Sequence, residues 1–445
     1  MDAKTLTTQP IPKLLRDIAI PFSLGMLFNT LYNIVDTYYA GLISTEALSA
    51  LSTSSFLFFF IIGLAYGISS AITSLIGHAY GKKRFKFARI LAKKGVAFIM
   101  MASVVFGAVG YSFASELLLL IGSKPEYHDL ALAFIQVILL GIPFFFANFA
   151  LNSVLMATGD TKSYRNTLIF GFFANIALNP LLIYGYGIIP AFHIAGIALA
   201  TVLVQCMSAG YLLYRCLQTE LIDFSCWVEF YPDRRLYARF FSQGLPIGTN
   251  LLMMSLGSLI ALYYVSSYGY QAVAGYGIGY RIEQLMLLPA LGISSATLSL
   301  VSNNFGAKEY ARIRLIMKHA LLYGYTLSLF GMVFLTITAS WLIRQFDTNT
   351  LVIEYGSAYI SIMLFLFCGY VTHFVCVSTL QGIQKPVMIF YVGLFRQIIA
   401  PSLVYYTLVS YLGLSFIWMW VGLGCIVYSS ALFLVWHTYR QLPRE

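Results

Sequence analysis

Charged side chains are scarce: Asp, Glu, Lys and Arg make up 10% of the 445 residues. A soluble domain carries about 25%. With 59% hydrophobic residues and a mean hydropathy of +0.80, the chain has more apolar surface than a water-soluble fold can bury. Acidic residues are the scarcer sign, 17 against 27 basic, for a net charge of +10. Such a balance can mark nucleic-acid binding. Here the basic residues sit in short segments between long apolar runs, so no nucleic-acid partner is expected. The six cysteines (Cys206, Cys216, Cys226, Cys368, Cys376 and Cys425) form no CxxC pair. They read as reduced packing residues rather than metal ligands or disulfides. Walker A, nucleophile-elbow and zinc motifs are also missing. Neither an enzyme activity nor a cofactor is expected, and any transport must draw on an ion gradient or be passive.

Apolar runs of 18 or more residues recur along nearly the whole chain, each long enough to cross roughly 30 Å of hydrocarbon as a helix. They are too long and too free of alternation for an outer-membrane barrel. The expected fold class is an all-α integral membrane protein with twelve transmembrane helices. They are placed at 18–41, 48–77, 95–121, 130–157, 167–185, 194–216, 243–267, 272–301, 319–343, 352–381, 388–411 and 415–437. The first run contains Pro21, Asn29, Asn33 and Asp36, unlike the short apolar core of a cleavable signal. It is expected to remain in the mature protein.

Lys and Arg fix an expected orientation. Lys82, Lys83, Arg84, Lys86, Arg89, Lys93 and Lys94 follow the second span, and Lys162 and Arg165 the fourth. Arg234, Arg235 and Arg239 lie in the centre, with Lys308, Arg312, Arg314 and Lys318 after the eighth span. All fall on the side of the N-terminus, and the other side has only Lys124 and Arg344. The positive-inside rule then makes both termini cytoplasmic. Trp341, Trp418 and Trp436 fall near span ends, as interfacial tryptophans do.

The chain repeats itself. Residues 67–83 (GISSAITSLIGHAYGKK) and 292–308 (GISSATLSLVSNNFGAK) are identical at nine of seventeen positions, at an offset of 225. Pro21 and Pro246 share that offset, as do Ala47 and Ala272. The reading is two six-helix bundles in parallel orientation. They divide as an N-terminal lobe 1–216, a polar linker 217–242 and a C-terminal lobe 243–445. Two bundles around a cleft suit alternating access.

Ionisable residues within spans cost at least about 2.5–3.5 kcal/mol on insertion scales and point to function. They are Asp36, Arg281, Glu283, His373 and Arg396. Asn29, Asn33 and Asp36 share one helical face. Asn175 and Asn179 share another, and Thr201, Gln205 and Ser208 a third. If these faces converge they surround one carboxylate, which can hold a proton when taken out of water or Na⁺ through hard oxygen ligands. Pro180 leaves the Ile176 carbonyl without its helical donor, free to join the site. The bland alternative is interhelical hydrogen-bond glue. At offset 225 Asp36 becomes Ala261, so the acid is not required by the scaffold. Arg281 and Glu283, two apart, do not share a face. Glu283 is read as partner to a basic group, either Arg281 or Arg396, and His373 as a packed histidine or a relay. Asn33, Arg281, Glu283, His373 and Arg396 form the candidate second polar or substrate site. Phe56, Phe58, Phe59, Phe60, Phe144, Phe145, Phe146, Tyr263 and Tyr264 are cleft candidates. An aromatic cavity near one carboxylate favours amphipathic organic cations.

The sequence resembles the multidrug and toxic compound extrusion (MATE) transporters, bacterial branch. The residues that carry the likeness are Pro21, YNIVDTYYAG ending at Gly41, MATGDTKSYRN (156–166), NIALNPLLIYG (175–185), GIALAT (196–201) and both GISSA copies. The resemblance implies a pair of six-helix lobes in a bacterial inner membrane. It implies a rocking antiport of drugs, small organic substrates, against a cation. The cation-coupling acid maps to Asp36, with Asn175 and Thr201 beside it. A second acid of many members falls on Asn179, which favours H⁺ over Na⁺ at Asp36. The acids that some members use on the seventh and tenth spans have no counterpart here. The default assembly is a monomer in the lipid bilayer.

One alternative is a lipid-linked saccharide flippase of the same superfamily, which needs a basic cavity; only Arg281 and Arg396 are available. A major-facilitator transporter normally has an acid in its loop after the second span, and GHAYGKKRFKFARILAKKG has none. A membrane-embedded enzyme or receptor finds no catalytic cluster.

Overall fold

The computed structural model describes residues 3–187, 190–219, 221–223 and 231–442. Cys226 and Glu229 lie outside the described residues. Twelve helices are long and apolar enough to span a membrane. In chain order these are α2 (Ile11–Ile43), α3 (Thr45–Gly81), α4 (Phe85–Ser112), α6 (Pro125–Ala157), α7 (Lys162–Tyr184) and α8 (His193–Leu217). The second half adds α9 (Arg234–Ser266), α10 (Tyr270–Gly306), α11 (Tyr310–Arg344), α12 (Thr350–Gly382), a composite span Val387–Tyr411 and α15 (Phe416–Gln441). The short helices α1 (Ala3–Thr8) and α5 (Ala114–Ile121) complete the first half. The composite span runs α13 (Val387–Leu394), a π-helical turn Phe395–Ile399, α14 (Ala400–Tyr405) and a second π turn Tyr406–Tyr411.

The spans match expectation in number and run longer at the basic end of the bundle. Helix α4 begins at Phe85, so Lys86, Arg89, Lys93 and Lys94 are helical rather than in a loop. Lys93 is fully buried and pairs with Asp223 at 3.0 Å. The third span, expected to reach 121, breaks at Phe113.

The repeat is visible in element boundaries. Residues 45, 81, 85, 125, 157 and 162 begin or end helices in the first half, and 270, 306, 310, 350, 382 and 387 do so in the second, all 225 apart. Two residues past the end of α3 and of α10 the chain turns through a lysine with positive φ, Lys83 at 57° and Lys308 at 64°. A hub helix organises each half: α6 packs on α3, α4 and α8, and α12 on α10, α11 and α15.

Two compact units emerge, Leu24–Gly248 and Lys4–Ser23 with Thr249–Glu445. The cuts fall inside α2 and α9, just past Pro21 and Pro246, rather than in the 217–242 linker. The repeated GISSA motif accounts for this division. Its glycine is where a first-span helix crosses. A Cβ on Gly67 would stand 2.5 Å from the backbone nitrogen of Gly248 and against the Gly244 carbonyl. A Cβ on Gly292 would meet the Ala19 carbonyl at 2.5 Å and the Ser23 hydroxyl. Residues 19 and 23 correspond to 244 and 248. Each motif therefore receives the first-span segment of the opposite repeat. Its next serine ties the motif to the hub helix: Ser69 Oγ donates to Phe149 O at 2.8 Å, and Ser294 Oγ to Phe374 O at 3.4 Å. The N-terminus follows the same assignment, since Asn304 and Arg312 donate to the Leu6 and Gln9 carbonyls.

Candidate functional site

Three helices of the Leu24–Gly248 unit bring together the polar faces expected from sequence. Asp36 sits on α2, Asn175 and Asn179 one turn apart on α7, and Thr201 on α8. All four are buried. Asn175 Nδ2 and Asn179 Nδ2 donate to Asp36 Oδ1 at 2.9 and 3.0 Å. Thr201 Oγ1 donates to Oδ2 at 3.3 Å. Asn179 Nδ2 also reaches Asn175 Oδ1 at 3.0 Å, locking the two amides into one orientation. No Lys, Arg or His among the described residues forms an ion pair with Asp36. A carboxylate satisfied by three neutral donors, with no counter-charge, is a site whose charge can change.

The sequence reading missed Tyr32. It lies one turn before Asp36 and is 8% exposed. Its hydroxyl faces Thr201 and Asn175 without closing a hydrogen bond. Asn33, expected on this face, is exposed and donates to its own helix at the Asn29 carbonyl, 2.9 Å. The i−4 neighbour of Asp36 is residue 32, and that spacing was the available signal. The Ile176 carbonyl freed by Pro180 is taken by the Tyr39 hydroxyl at 3.4 Å rather than by the Asp36 cluster. Gln205 pairs with Asn148 of α6, which donates to its Oε1 at 2.7 Å. Among the aromatic candidates, Phe145 and Phe146 are buried while Phe56, Phe59, Phe60 and Tyr263 are exposed.

In the other unit Glu283, His373 and Arg396 are all buried, and Arg281 is exposed. Tyr359 donates to Glu283 Oε2. Neither Arg281 nor Arg396 forms an ion pair with Glu283 among the described residues.

Twelve apolar helices in two repeated six-span sets define a polytopic membrane protein. The MatE family model matches twice, at residues 21–181 and 246–406, again 225 apart. The chain belongs to the MatE family of multidrug efflux transporters. It is 26% identical to the probable multidrug resistance protein YpnP of Bacillus subtilis, over 99% of this chain and 98% of the relative. It is also 26% identical to an FAD transporter of Shewanella oneidensis, over 83% of this chain and 81% of the relative. A structure described as the outward-facing conformation of a multidrug resistance MATE family transporter superposes with a TM-score of 0.91. That pair is 22% identical, covering 100% of this chain and 99% of the other.

Proposed function

We propose that the protein is a secondary antiporter of a bacterial cytoplasmic membrane, with both termini cytoplasmic. It exports amphipathic, cationic organic compounds in exchange for H⁺ by alternating access. The observation that supports this most is the lone carboxyl of Asp36, buried and bound by Asn175, Asn179 and Thr201 with no counter-ion.

The donor set favours H⁺ over Na⁺. Both amides turn their NH₂ groups to Oδ1, which suits a carboxylate. A bound Na⁺ needs oxygens, so the amides would have to flip. When a proton bonds to Oδ2 and is directed at Thr201, that oxygen becomes the donor and the Thr201 hydroxyl turns from donating to accepting. Two acceptor oxygens of the cluster are buried without partners, Tyr32 OH and Asn179 Oδ1. They offer the network a second arrangement. Protonation thereby changes which contacts α2 makes with α7 and α8. A ligand biases a two-state equilibrium only through such differential contacts. Substrate release outward accompanies proton entry, and proton release inside resets the cycle.

The test is ethidium transport by proteoliposomes under an imposed pH gradient and, separately, a Na⁺ gradient. Wild type should respond to the pH gradient and Asp36→Asn should not. Drive by Na⁺ alone would reassign the ion. The similarity to an FAD transporter makes FAD the second substrate to assay; movement of FAD but not ethidium would replace the cationic class with an anionic one.

A further inference from the structure

The second unit holds its own buried carboxyl. Glu283 of α10 is 5% exposed. Tyr359 donates to its Oε2, and the Tyr370 hydroxyl also faces it. Tyr276 and Tyr280 of α10 and Tyr405 of α14 lie within electrostatic reach of it. Arg396, in the same unit, is 4% exposed. Its guanidinium carbon lies 5.7 Å from the Tyr370 ring centroid. The Arg396 Nε is buried without a hydrogen-bond partner, as is Nδ1 of His373 one turn beyond Tyr370, and His373 faces Arg396. Arg396 is carried by the π turn Phe395–Ile399, an irregularity frequent at functional sites.

The first repeat shows that the scaffold does not need these groups. At offset 225, Glu283, Tyr359, Tyr370 and Arg396 correspond to Phe58, Phe134, Phe145 and Gly171. Phe58 packs edge-to-face on Phe145, ring centroids 4.9 Å apart. An apolar solution for the same helix contacts therefore exists within this chain. Burying a charged group where apolar packing suffices costs stability. Glu283 and Arg396 are thus not explained by packing.

We propose that Glu283 is a second proton-carrying carboxyl, acting in the C-terminal unit with Arg396 as its counter-charge across Tyr370. On uptake a proton from water bonds to one Glu283 oxygen, and Tyr359 still donates to the acid. On release the proton returns to water. The carboxylate then keeps the Tyr359 bond and gains one from Tyr370, and the positive potential of Arg396 offsets its charge. The cycle then carries two protons, one per unit. That count rests on the proton-coupled reading above; the titration of Glu283 itself does not.

The experiment is infrared difference spectroscopy of the full chain in lipid nanodiscs between acid and alkaline pH, following the carbonyl stretch of protonated carboxylic acids. Asp36→Asn should remove one component, Glu283→Gln another, and the double variant both. In proteoliposomes, Glu283→Gln should halve the protons moved per ethidium. A Glu283→Gln spectrum identical to wild type overturns the proposal, and so does an unchanged proton count. Should Glu283→Gln fail to accumulate, Tyr359→Phe keeps the acid and removes its donor; the pH midpoint of the Glu283 component must then move, and a fixed midpoint overturns the proposal. If neither gradient drives ethidium while the Glu283 component still titrates, the antiporter reading fails and this one stands.

Discussion

The two halves use one template and put their polar groups in different places. Helix ends, hub packing, the glycine crossings and the serine ties recur at one offset. The chemistry does not. Asp36, Asn175 and Asn179 become Ala261, Ala400 and Val404 in the second half. Glu283, Tyr359 and Tyr370 are Phe58, Phe134 and Phe145 in the first. What is shared is therefore structural, and what differs marks function, a separation drawn inside one chain. Among the described residues the backbone departs too: α4 breaks at Phe113 where α11 runs on, and two π turns interrupt Val387–Tyr411, the first of them carrying Arg396.

The largest expected effects come from the shared frame. Gly67→Leu drives a branched side chain into the backbone of α9, and overpacking against unyielding backbone should cost about 3 kcal/mol, the upper end for such changes. Thermal melting of purified protein should show it, along with loss of folded yield. Gly292→Ala should be milder than Gly67→Ala, because one of its obstacles is the movable Ser23 hydroxyl. Ser23→Gly, which copies Gly248, should partly rescue Gly292→Ala. Absence of rescue would show that the two crossings are not equivalent.

Asn179→Val comes next, giving the first half the residue of the second. Asp36 loses one of its two amide donors, and a hydrogen bond to a charged group is worth about 1.5–3 kcal/mol. Ethidium antiport should fall at least tenfold, while melting shifts by no more than that energy. Normal transport would mean that Asn175 and Thr201 suffice.

Much of this was legible in the residues. Hydropathy gave twelve spans because each had to cross the bilayer unaided, and polar spacing gave Asp36 with Asn175, Asn179 and Thr201. Two things were not. Tyr32 was passed over for Asn33 because the polar face was traced from Asn29; tracing back one turn from Asp36 reaches the tyrosine. The phenols around Glu283 were hidden because tyrosine in a membrane helix reads as an ordinary aromatic. Only the repeat exposes them, as places where Phe in one half is Tyr in the other. The partner of Glu283 was sought among arginines, yet the structure supplies a tyrosine, since a neutral donor can satisfy a buried acid without a second buried charge.

Tyr370→Phe is the smaller test of that contrast. It restores the residue of the first half and keeps the ring under Arg396. Folding should be unaffected within about 0.5–1.5 kcal/mol, the value of a typical hydrogen bond. The pH dependence of transport should move while the maximal rate changes little. A profile superimposable on wild type would remove Tyr370 from the Glu283 network.

The smallest effect lies outside the membrane. Asp160, between α6 and α7, accepts from Ser163 N at 3.0 Å, Ser163 Oγ at 2.7 Å and Arg215 at 3.3 Å. Burial works to raise its pKa, but Ser163 and Arg215 together hold the carboxyl below the usual carboxylate range. The second half has Lys385 at the corresponding place, bonded to Gln441 at 2.7 Å, so the device belongs to one half only. A carboxylate with a lowered folded-state value contributes stability above its unfolded value, and that contribution is lost as the pH falls through the folded value. Asp160→Asn should therefore cost about 1 kcal/mol at neutral pH, in the range of a lost helix cap. At strongly acid pH, where wild type is protonated too, it should cost almost nothing. Lys385→Asn should show no such convergence, and finding it there would mean that the ends of the two halves are held by the same electrostatics after all.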